Sequence, residues 1–380
     1  MPTKVLYIQY NNPGAYPPLI NSARIFEELG WQTTFIGLDT ESTRELVFPE
    51  SISTRVSLVM GKTPLLRFVH FHLKSIAKTL FHKPDVLYIS DESACFAGFL
   101  ASLFSSALVI YHEHDYTIKS NSLKSRVLRL CRNKISSLAG MIVVPSHARA
   151  EASFTEKIKA SNKIEVVFNC SALVEIKSSE IVSRTFHHDQ NTRLYYHGSL
   201  VPARLPQSLL KAIVKREDYT LNVAGYFTQG SGVIEEIILQ ESTNQKSNIN
   251  YFGPKRRDEL SELMQDADVG LCILPEATSN INERHMAGAS NKAFDYLANG
   301  LYVICPDTPD WRSIFSETPK VAFLNPHDIA SLDHCIGQLR KQKQADFSLL
   351  QDKIFSTWNY EAQFKGVLTF LHSKLAKTNE

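Results

Sequence analysis

Short apolar segments alternate with segments of helical periodicity through the first part of the chain, and this alternation constrains the fold more than any other feature. It is typical of a parallel sheet whose strands are joined by helices packed on both faces. We therefore predict a first sheet of about six strands. The predicted strands are 5–9, 33–38, 86–90, 107–112, 141–144 and 164–168, and the predicted helices are 19–29, 65–81, 94–104 and 121–138.

A second series of the same kind follows a polar segment at 171–192, which we interpret as a linker. Because 380 residues exceed what one hydrophobic core ordinarily contains, we predict two domains, at 1–178 and 190–355. The fold class is α/β, with two Rossmann-like, doubly wound domains that place ligand sites at the carboxyl edges of their sheets. The predicted strands of the second series are 193–196, 219–224, 249–252 and 269–273, its helices are 205–214, 232–241 and 257–266, and 290–310 adds a further helix and strand.

Composition excludes several classes of function. A net charge of +2 argues against a nucleic-acid binder held by bulk charge. The six cysteines are scattered, without the spacing of a zinc site or a disulfide framework, and indicate a reducing compartment. The N-terminus lacks the features of a signal peptide. Residues 93–111 carry no charge and are nearly long enough to span a membrane. Because Ser105 and Ser106 divide them, we instead predict a buried helix followed by a buried strand. We expect a cytoplasmic protein.

The segment SNKAFDYLANGLYVICPDTPD at 290–310 predicts a helix that begins at a cleft and feeds a buried strand. Ser290 is a good N-cap, and Gly300 suits the position after the helix. The free N–H groups at the helix start, from Asn291 onward, attract an anion, and Lys292 adds a positive charge. Asp295 could accept hydrogen bonds from nearby hydroxyls. A phosphate beside a sugar fits this pattern, although a capped helix with an exposed Lys292–Asp295 pair would also explain it.

The segment YHGSLVPARLPQSLL at 196–210 supplies a second candidate anion site. Gly198 ends a strand and permits close approach of the backbone to a ligand. Arg204 lies just before a helix and can bind phosphate oxygens through two N–H groups. Each residue alone would be an ordinary turn glycine or surface cation. Together with Lys292 in the same domain, they favour a clamp for a diphosphate.

Residues 193–315 resemble the C-terminal domain of GT-B nucleotide-sugar glycosyltransferases, especially the large retaining family four. Four motifs in the family's order and spacing carry the resemblance. They are Gly198, Ser199, Leu200 and Arg204; LNVAGYFTQG with Gly225 and Tyr226; YFGPKRRDELSELMQDADVGLCIL with Phe252 and Gly253; and Lys292, Asp295, Tyr296, Leu297, Ala298 and Gly300. The N-terminal half matches more loosely, through VVPSHARAEA and VVFNCSAL. The end of the chain resembles the family's last helix, so we assign 356–380 to the N-terminal domain.

This resemblance implies a GT-B fold whose two domains face a cleft. It implies transfer of a sugar from a nucleotide-diphosphate sugar to a glycan or lipid-linked acceptor, with retention, in the synthesis of a bacterial surface polysaccharide or glycolipid. We expect no cofactor beyond the nucleotide sugar as substrate, and no Asp-x-Asp assignable to a metal. Catalytic roles fall on Arg204, Lys292 and His114. The implied donor-binding residues are Gly198, Ser199, Gly225, Tyr226, Gly253, Ser290, Asn291 and Asp295.

Two positions depart from the family's pattern. The first of its paired glutamates is Ala287 here, and Asp295 replaces the second with a shorter carboxylate. Backbone N–H groups of 288–290, or the side chains of Glu283 or His285, would then meet the sugar. Ser199 stands where the family has an arginine, so one phosphate cation is missing.

The segment YHEHDY at 111–116 follows a predicted strand, at the edge where ligands bind. His114 or His112 could position the donor sugar or the acceptor, and the resemblance to a strand-end histidine of the family supports this. Asp115 could act as a base if the reaction inverts. Gly14, in the loop NNPGAYPP, could let the acceptor approach closely. For His112 and His114, the alternative is a metal site or a structural hydrogen-bond network, and no third metal ligand is spaced nearby.

Two segments, 65–83 and 119–134, are both basic and apolar. Such surfaces bind anionic lipid, which would give peripheral contact with the inner face of a membrane; ordinary solvated helix faces are the alternative. Two other functions stay open. One is a nucleotide-sugar epimerase, which needs carboxylates around the sugar. The other is a non-catalytic subunit, for which Ser199 and Ala287 would be the signs.

Overall fold

A computed structural model describes residues 2–38, 55–59, 63–116, 122–161, 163–177, 180–181, 184–186, 191–228, 230–244, 246–273, 280–325, 329–342 and 347–376. The chain divides into two compact units. Unit 1 comprises Met1–Asn169, Asn280–His285 and Tyr360–Glu380, and unit 2 comprises Cys170–Ser279 and Met286–Asn359. Both units are α/β, as the alternation of apolar and helical segments predicts.

The helices of unit 1 are α1 (Pro17–Glu28), α2 (Pro64–His82), α3 (Cys95–Ser102), α4 (Leu123–Leu138), α5 (His147–Ser153), α6 (Glu156–Lys159), α10 (Ile281–Arg284) and α15 (Tyr360–Ala376). Those of unit 2 are α7 (Gln207–Val214), α8 (Gly232–Ser242), α9 (Arg257–Gln265), α11 (Asn291–Ala298), α12 (Pro309–Phe315), α13 (Leu332–Arg340) and α14 (Phe347–Ser356). Short 3-10 turns occur at Pro13–Ala15, Glu92–Ala94, Leu173–Glu175 and Ile329–Ser331.

The sheet of unit 1 has seven parallel strands. They are β1 (Lys4–Gln9), β2 (Gln32–Leu38), β3 (Arg55–Val59), β4 (Val86–Ser90), β5 (Leu108–His112), β6 (Met141–Val144) and β7 (Ile164–Val166). Their order is β3-β2-β1-β4-β5-β6-β7, with the direction of winding reversing at β1 and β4. The predicted count of about six omits β3, whose short sequence RVSLV has no turn residue or long apolar run to mark it.

Each face of this sheet has its own core. Tyr7 and Tyr88 point to one face, where they pack with side chains of α1 and α15. Their neighbours Leu6 and Leu87 point to the other face, which is covered by α2, α3 and α4. Strands buried on both faces account for the near-continuous apolar runs in the sequence. The helix α15 belongs to this unit because Phe364, Val367 and Leu371 on it are buried in the first core.

The sheet of unit 2 has six parallel strands. They are β8 (Thr192–Leu200), β9 (Tyr219–Phe227), β10 (Ile249–Tyr251), β11 (Val269–Leu271), β12 (Tyr302–Pro306) and β13 (Val321–Leu324). Their order is β10-β9-β8-β11-β12-β13, so the winding reverses between β8 and β11. In a doubly wound sheet the carboxyl ends of strands beside such a reversal form the usual ligand site.

The described residues between 170 and 186 belong to unit 2, although the sequence suggests a linker at 171–192, of which 187–190 lie outside the described residues, and a first domain ending at 178. The guanidinium of Arg184 explains why. It donates to the carbonyls of Asn299 at 3.0 Å and Met264 at 2.8 Å, near the C-termini of α11 and α9. Lys320 is fully buried and donates to the carbonyls of Arg184 at 2.7 Å and Gly300 at 2.9 Å. A polar sequence is thus an integral part of the unit.

Residues 93–111 form α3 followed by β5, as predicted. Among the helices that the structure describes, none combines the length and apolar character required to cross a bilayer.

Replacement of Lys320 should alter how stability depends on pH. Burial, together with the charge of Arg184, lowers the pKa of Lys320 to about 7, whereas in the unfolded chain it is about 10.5. The unfolded state therefore holds more protons between these values, and stability rises with pH there. We expect urea unfolding of wild type to show a gain of about 3 kcal/mol from pH 7 to 9.5 that Lys320→Met lacks. The exposed-site control Lys341→Met should behave as wild type. Equal pH profiles for Lys320→Met and wild type would contradict this.

Candidate functional site

The carboxyl end of β8 lies unusually close to β9. Gly198 has φ +118°, and a Cβ placed on Gly225 would lie 1.9 Å from the Gly198 carbonyl oxygen. Neither strand could carry a side chain there without backbone movement. The N–H of Gly225 donates to the carbonyl of Gly253 at 2.9 Å, and Gly253 has φ +72° with open space around its Cα. The three glycines predicted from the sequence therefore lie together at one backbone edge in unit 2, where Gly198 and Gly253 are half-buried and Gly225 is buried.

Lys292 lies over this edge. It occupies the first turn of α11, and its Nζ is 3.0 Å from the position that a Cβ on Gly198 would take. The same Nζ is 5.4 Å from the centroid of the Tyr196 ring. Ser290 occupies the N-cap position as predicted, but its side chain forms no capping hydrogen bond.

Arg204 follows β8 and contacts Ser199, the residue next to Gly198. Its Nη1 donates to the Ser199 hydroxyl at 2.7 Å. Ser199, which stands where the family has an arginine, therefore orients Arg204. Tyr226 lies near this guanidinium, since burial raises the pKa of its hydroxyl and the Arg204 charge lowers it. The predicted donor residues of β8 and β9 are thus brought together around Arg204.

Arg204 and Lys292 are two half-buried cations, and within the described residues neither forms an ion pair with a carboxylate. Burial, followed by the charge of Arg204, lowers the pKa of Lys292 to about 8. Two like charges close enough to perturb each other are unfavourable unless an anion joins them. The arrangement is therefore suited to bind a phosphate or diphosphate group.

Asp295 lies one turn further along α11 and is 3% exposed. The Arg257 guanidinium donates to both of its carboxylate oxygens, at 2.5 and 2.9 Å. Ser171 and Asn291 donate to the same carboxylate at 2.7 and 2.8 Å, and the His197 Nε2 lies 3.4 Å away. Burial alone would raise the pKa of Asp295, but the Arg257 charge and the hydrogen bonds hold it well below its usual range. The predicted acceptance of ligand hydroxyls does not match this saturated carboxylate, and the Asn291 side chain is likewise directed to Asp295.

Arg257 is the residue that sequence analysis misses here. It joins Asp295 to Glu175, donating to the Glu175 oxygens at 2.9 Å through Nε and Nη2. The sequence shows three consecutive cations, Lys255, Arg256 and Arg257, at the start of α9. Which of the three points inward depends on where the helix begins. Arg257 points inward, whereas Arg256 is exposed and pairs with Asp258 at 2.8 Å.

The turn before α11 departs from expectation as well. The N–H groups of Ala289 and Ser290 both donate to the Met286 carbonyl, at 3.0 and 2.7 Å, so they are not the free sugar-binding donors that the sequence suggests. The N–H of Ala287 donates to the Asp310 carboxylate at 2.8 Å. Glu283 and His285 belong to unit 1, since Asn280–His285 packs there.

In unit 1, YHEHDY lies at the carboxyl end of β5 as predicted. His112 is buried and shares a hydrogen bond of 2.8 Å with the Tyr88 hydroxyl. The ring of His114 lies 3.8 Å from that of His112 and 5.3 Å from that of Tyr16, between centroids. Burial lowers the pKa of His114 to about 4, and it lowers that of His112 well below its usual value. Both rings are therefore neutral at physiological pH.

Asp115 is exposed, whereas the loop that carries it is fixed. The backbone N–H groups of His114 and Asp115 donate to the Asp91 carboxylate at 2.8 and 3.3 Å. Burial, with the charge of Asp115, raises the pKa of Asp91 to about 7. Asp91 has φ +65°, and sequence analysis gives no signal for it because an aspartate after a strand is a common turn residue. Gly14 lies in the 3-10 turn at Pro13–Ala15, and its N–H donates to the Asn12 side chain at 2.9 Å.

Glu113 points away from the two histidines. Its carboxylate accepts from the Arg132 Nε at 2.5 Å and Nη2 at 2.8 Å, and from the Tyr111 hydroxyl at 2.7 Å. Arg132 is consequently buried and does not contribute to the basic surface predicted at 119–134. Residues 119–121 and the side chain of Lys124 lie outside the described part of the chain.

Solved structures of similar fold cover nearly the whole chain. Anabaena Alr3699/HepE in complex with UDP-glucose matches with a TM-score of 0.71 at 15% identity, covering 97% of this chain and 99% of that one. A glycosyltransferase from Rickettsia africae ESF-5 matches at 0.70 and 12% identity, covering 98% of each chain. Sucrose-phosphate synthase from Thermosynechococcus elongatus matches at 0.70 and 13% identity, covering 99% and 100%. The chain has the GT-B fold.

The fold predicted from the four motifs is thereby confirmed. No protein-family model matches the chain, and no curated protein matches it by sequence. Across the residues that the structure describes, no three His, Cys, Asp or Glu side chains are grouped as the ligands of a metal ion would be.

The buried Asp295–Arg257 pair should be essential for the stability of unit 2. Asp295→Asn leaves the half-buried Arg257 guanidinium with Glu175 as its one remaining carboxylate partner among the described residues, and removing one member of a buried ion pair costs about 3–5 kcal/mol. We expect a loss of this size in the free energy of urea unfolding. Glu175→Gln, at the more exposed end of the same arginine, should cost less. A loss for Asp295→Asn no larger than that of Glu175→Gln would contradict this account.

Proposed function

We propose that this protein is a glycosyltransferase that moves a sugar from a nucleotide-diphosphate sugar to a glycan or lipid-linked acceptor. The GT-B fold supports this proposal, as do structural neighbours solved with UDP-glucose and with UDP. The observation that carries it is the pair of cations, Arg204 and Lys292, which lie beside Ser199 and Gly198 at the end of β8 without carboxylate partners among the described residues.

The chemistry of the transfer fits this pair. When the bond between the sugar and the β-phosphate breaks, negative charge develops on the departing phosphate oxygen. Fixed cations aimed at that oxygen stabilise the transition state more than the ground state. We propose that Arg204 and Lys292 supply this stabilisation, that the absence of a side chain at Gly198 allows the diphosphate to approach the backbone closely, and that no metal ion is required.

We propose that the reaction retains the configuration of the sugar. The acceptor oxygen would attack from the side on which the phosphate leaves, and its proton would pass to the departing phosphate. No strong protein base is needed on this route. His114 is neutral and can donate or accept a hydrogen bond, which suits the positioning of a sugar or acceptor hydroxyl. An inverting reaction would instead need Asp115 as the base.

One face of unit 1 supports a lipid-linked acceptor. It consists of α2, α4 and the end of α3, and we call it the α2–α4 face. Its exposed apolar side chains are Leu65, Leu66, Val69, Leu73, Leu80 and Phe81 on α2, Leu103 and Phe104 after α3, and Leu123, Val127, Leu130 and Leu138 on α4. Its basic side chains include Arg67, Lys74, Lys78, Arg126 and Arg129. Apolar side chains interspersed with cations are typical of surfaces that bind anionic membranes.

From these features we propose a cytoplasmic enzyme of bacterial surface polysaccharide or glycolipid synthesis, peripheral at the inner face of the membrane. An epimerase on the same fold would convert a nucleotide sugar without any acceptor. A non-catalytic subunit would bind no nucleotide. Each alternative thus predicts a distinct result in assays of donor binding and turnover.

Nucleotide binding should depend on both cations and on pH. By calorimetry with EDTA present, we expect UDP to bind wild type, and Arg204→Met and Lys292→Met each to weaken binding by at least about tenfold, as for loss of a charge-assisted hydrogen bond. Because the pKa of Lys292 is about 8, affinity should fall as pH rises above that value, by about tenfold per pH unit. Lys292→Met should remove this pH dependence. Wild-type affinity in both variants would rule out the clamp.

The α2–α4 face should bind anionic vesicles. We expect the protein to cosediment with phosphatidylglycerol vesicles and not with phosphatidylcholine vesicles, and to be released by salt because the cations act through screened charge. The double variant Leu66→Ser/Phe81→Ser should weaken binding several-fold. Leu239→Ser, an exposed leucine of α8 in unit 2, is the matched control. Equal sedimentation of the double variant and the control would contradict this role.

A further inference from the structure

A single buried arginine joins three separate segments of unit 1. Arg149, on α5, is 3% exposed. Its Nε donates to the His285 carbonyl at 2.8 Å, and its Nη2 donates to the Asn282 carbonyl at 2.8 Å. Its Nη1 donates to the His114 carbonyl and, at 3.1 Å, to the Asp115 carboxylate. All three guanidinium nitrogens therefore have acceptors. These acceptors lie in two segments, the loop after β5 and the α10 segment (Asn280–His285).

A second contact joins the same two segments directly. The Asn282 side chain accepts from the Tyr116 backbone N–H at 2.7 Å and donates to the Tyr116 carbonyl at 2.8 Å. An amide that pairs with both backbone groups of one residue fixes the register of the two segments. The α10 segment, Asn280–His285, interrupts the sequence of unit 2, because Cys170–Ser279 and Met286–Asn359 belong to that unit. Only five residues separate His285 from the start of α11.

We propose that Arg149 is a positioning residue that holds His114, Asp115 and the α10 segment as one rigid group within unit 1. The roles of His114 and Asp115 in this inference rest on the proposed transferase function. The contacts of Arg149 do not depend on that function. Only an arginine can satisfy these acceptors at once, because a lysine has one nitrogen and no planar fork. Burial of the cation is offset by three main-chain carbonyls and one carboxylate.

Arg149 also influences the protonation of His114. The groups facing His114 are Tyr16 before α1, Asp91 after β4, His112 on β5, Asp115 in its own loop and Arg149 on α5. Burial is the main cause of the low pKa of His114; Asp115 raises that pKa and Arg149 lowers it. Removal of the Arg149 charge should therefore raise the pKa of His114. Replacement by lysine should keep the charge while losing the geometry.

Two variants separate these effects. In Arg149→Lys and Arg149→Met we expect backbone amides of Tyr116 and of 281–286 to exchange hydrogen about tenfold faster than in wild type, since the clamp that closes them is lost. The pKa of His114, followed by NMR and assigned with His114→Gln, should rise in Arg149→Met and stay unchanged in Arg149→Lys. Arg216→Met, which removes an exposed arginine of unit 2, should leave exchange in both segments unchanged.

Exchange as in wild type in both Arg149 variants, or a His114 pKa unchanged in Arg149→Met, would overturn the proposal. If Arg149→Met fails to fold, exchange in Arg149→Lys still decides it, because lysine retains the buried stem and the charge. UDP affinity should stay within about twofold of wild type in Arg149→Lys, because Arg204 and Lys292 lie in unit 2. Failure of wild type to bind UDP would count against the proposed function alone.

Discussion

The candidate site in unit 2 depends on keeping two like charges, Arg204 and Lys292, close together, and neither forms an ion pair with a carboxylate among the residues that the structure describes. Lys292 lies in the first turn of α11, so whatever fixes this helix also fixes the position of Lys292. The helix is fixed by Asp295, whose carboxylate is held by the buried Arg257, and at its C-terminus by Arg184 and Lys320. Asp295, which pairs with Arg257 of α9, and Lys292, which has no carboxylate partner among the described residues, thus lie one turn apart on α11. Such preorganisation lets binding of an anion relieve repulsion rather than cost rearrangement.

Unit 1 uses the opposite electrostatic arrangement. At the end of β5 the charged groups Glu113 and Asp115 are engaged by arginines, Arg132 and Arg149, while the two histidines between and before them are neutral. A neutral, rigidly held imidazole suits recognition of hydroxyl groups, whereas the unpaired cations of unit 2 suit phosphate. Each unit therefore presents the chemistry that one part of a nucleotide sugar and its acceptor would require.

Much of the fold could be predicted from the sequence because strands buried on both faces leave long apolar runs between helical patterns. The strand β3 lacks that signal because Arg55 and Ser57 interrupt the apolar residues of its sequence RVSLV. Gly198, Arg204 and Lys292 could be found because they occupy fixed places at the ends of predicted strands and helices. The roles of Arg257, Arg149 and Asp91 could not, because each depends on contacts with residues distant in sequence. For the same reason, the sequence does not reveal that protein groups already donate hydrogen bonds to both carboxylate oxygens of Asp295.

The central claim, that the cation pair is a diphosphate site, is tested most directly by calorimetry of UDP, GDP and ADP, each against its own nucleoside, in EDTA. If Arg204 and Lys292 bind the phosphates, one of the three diphosphates should bind at least about 100-fold more tightly than its nucleoside, since two charge-assisted contacts contribute. This difference should shrink at high salt. If no diphosphate binds more tightly than its nucleoside, the pair is not a diphosphate site, and the proposed transferase function loses its main support.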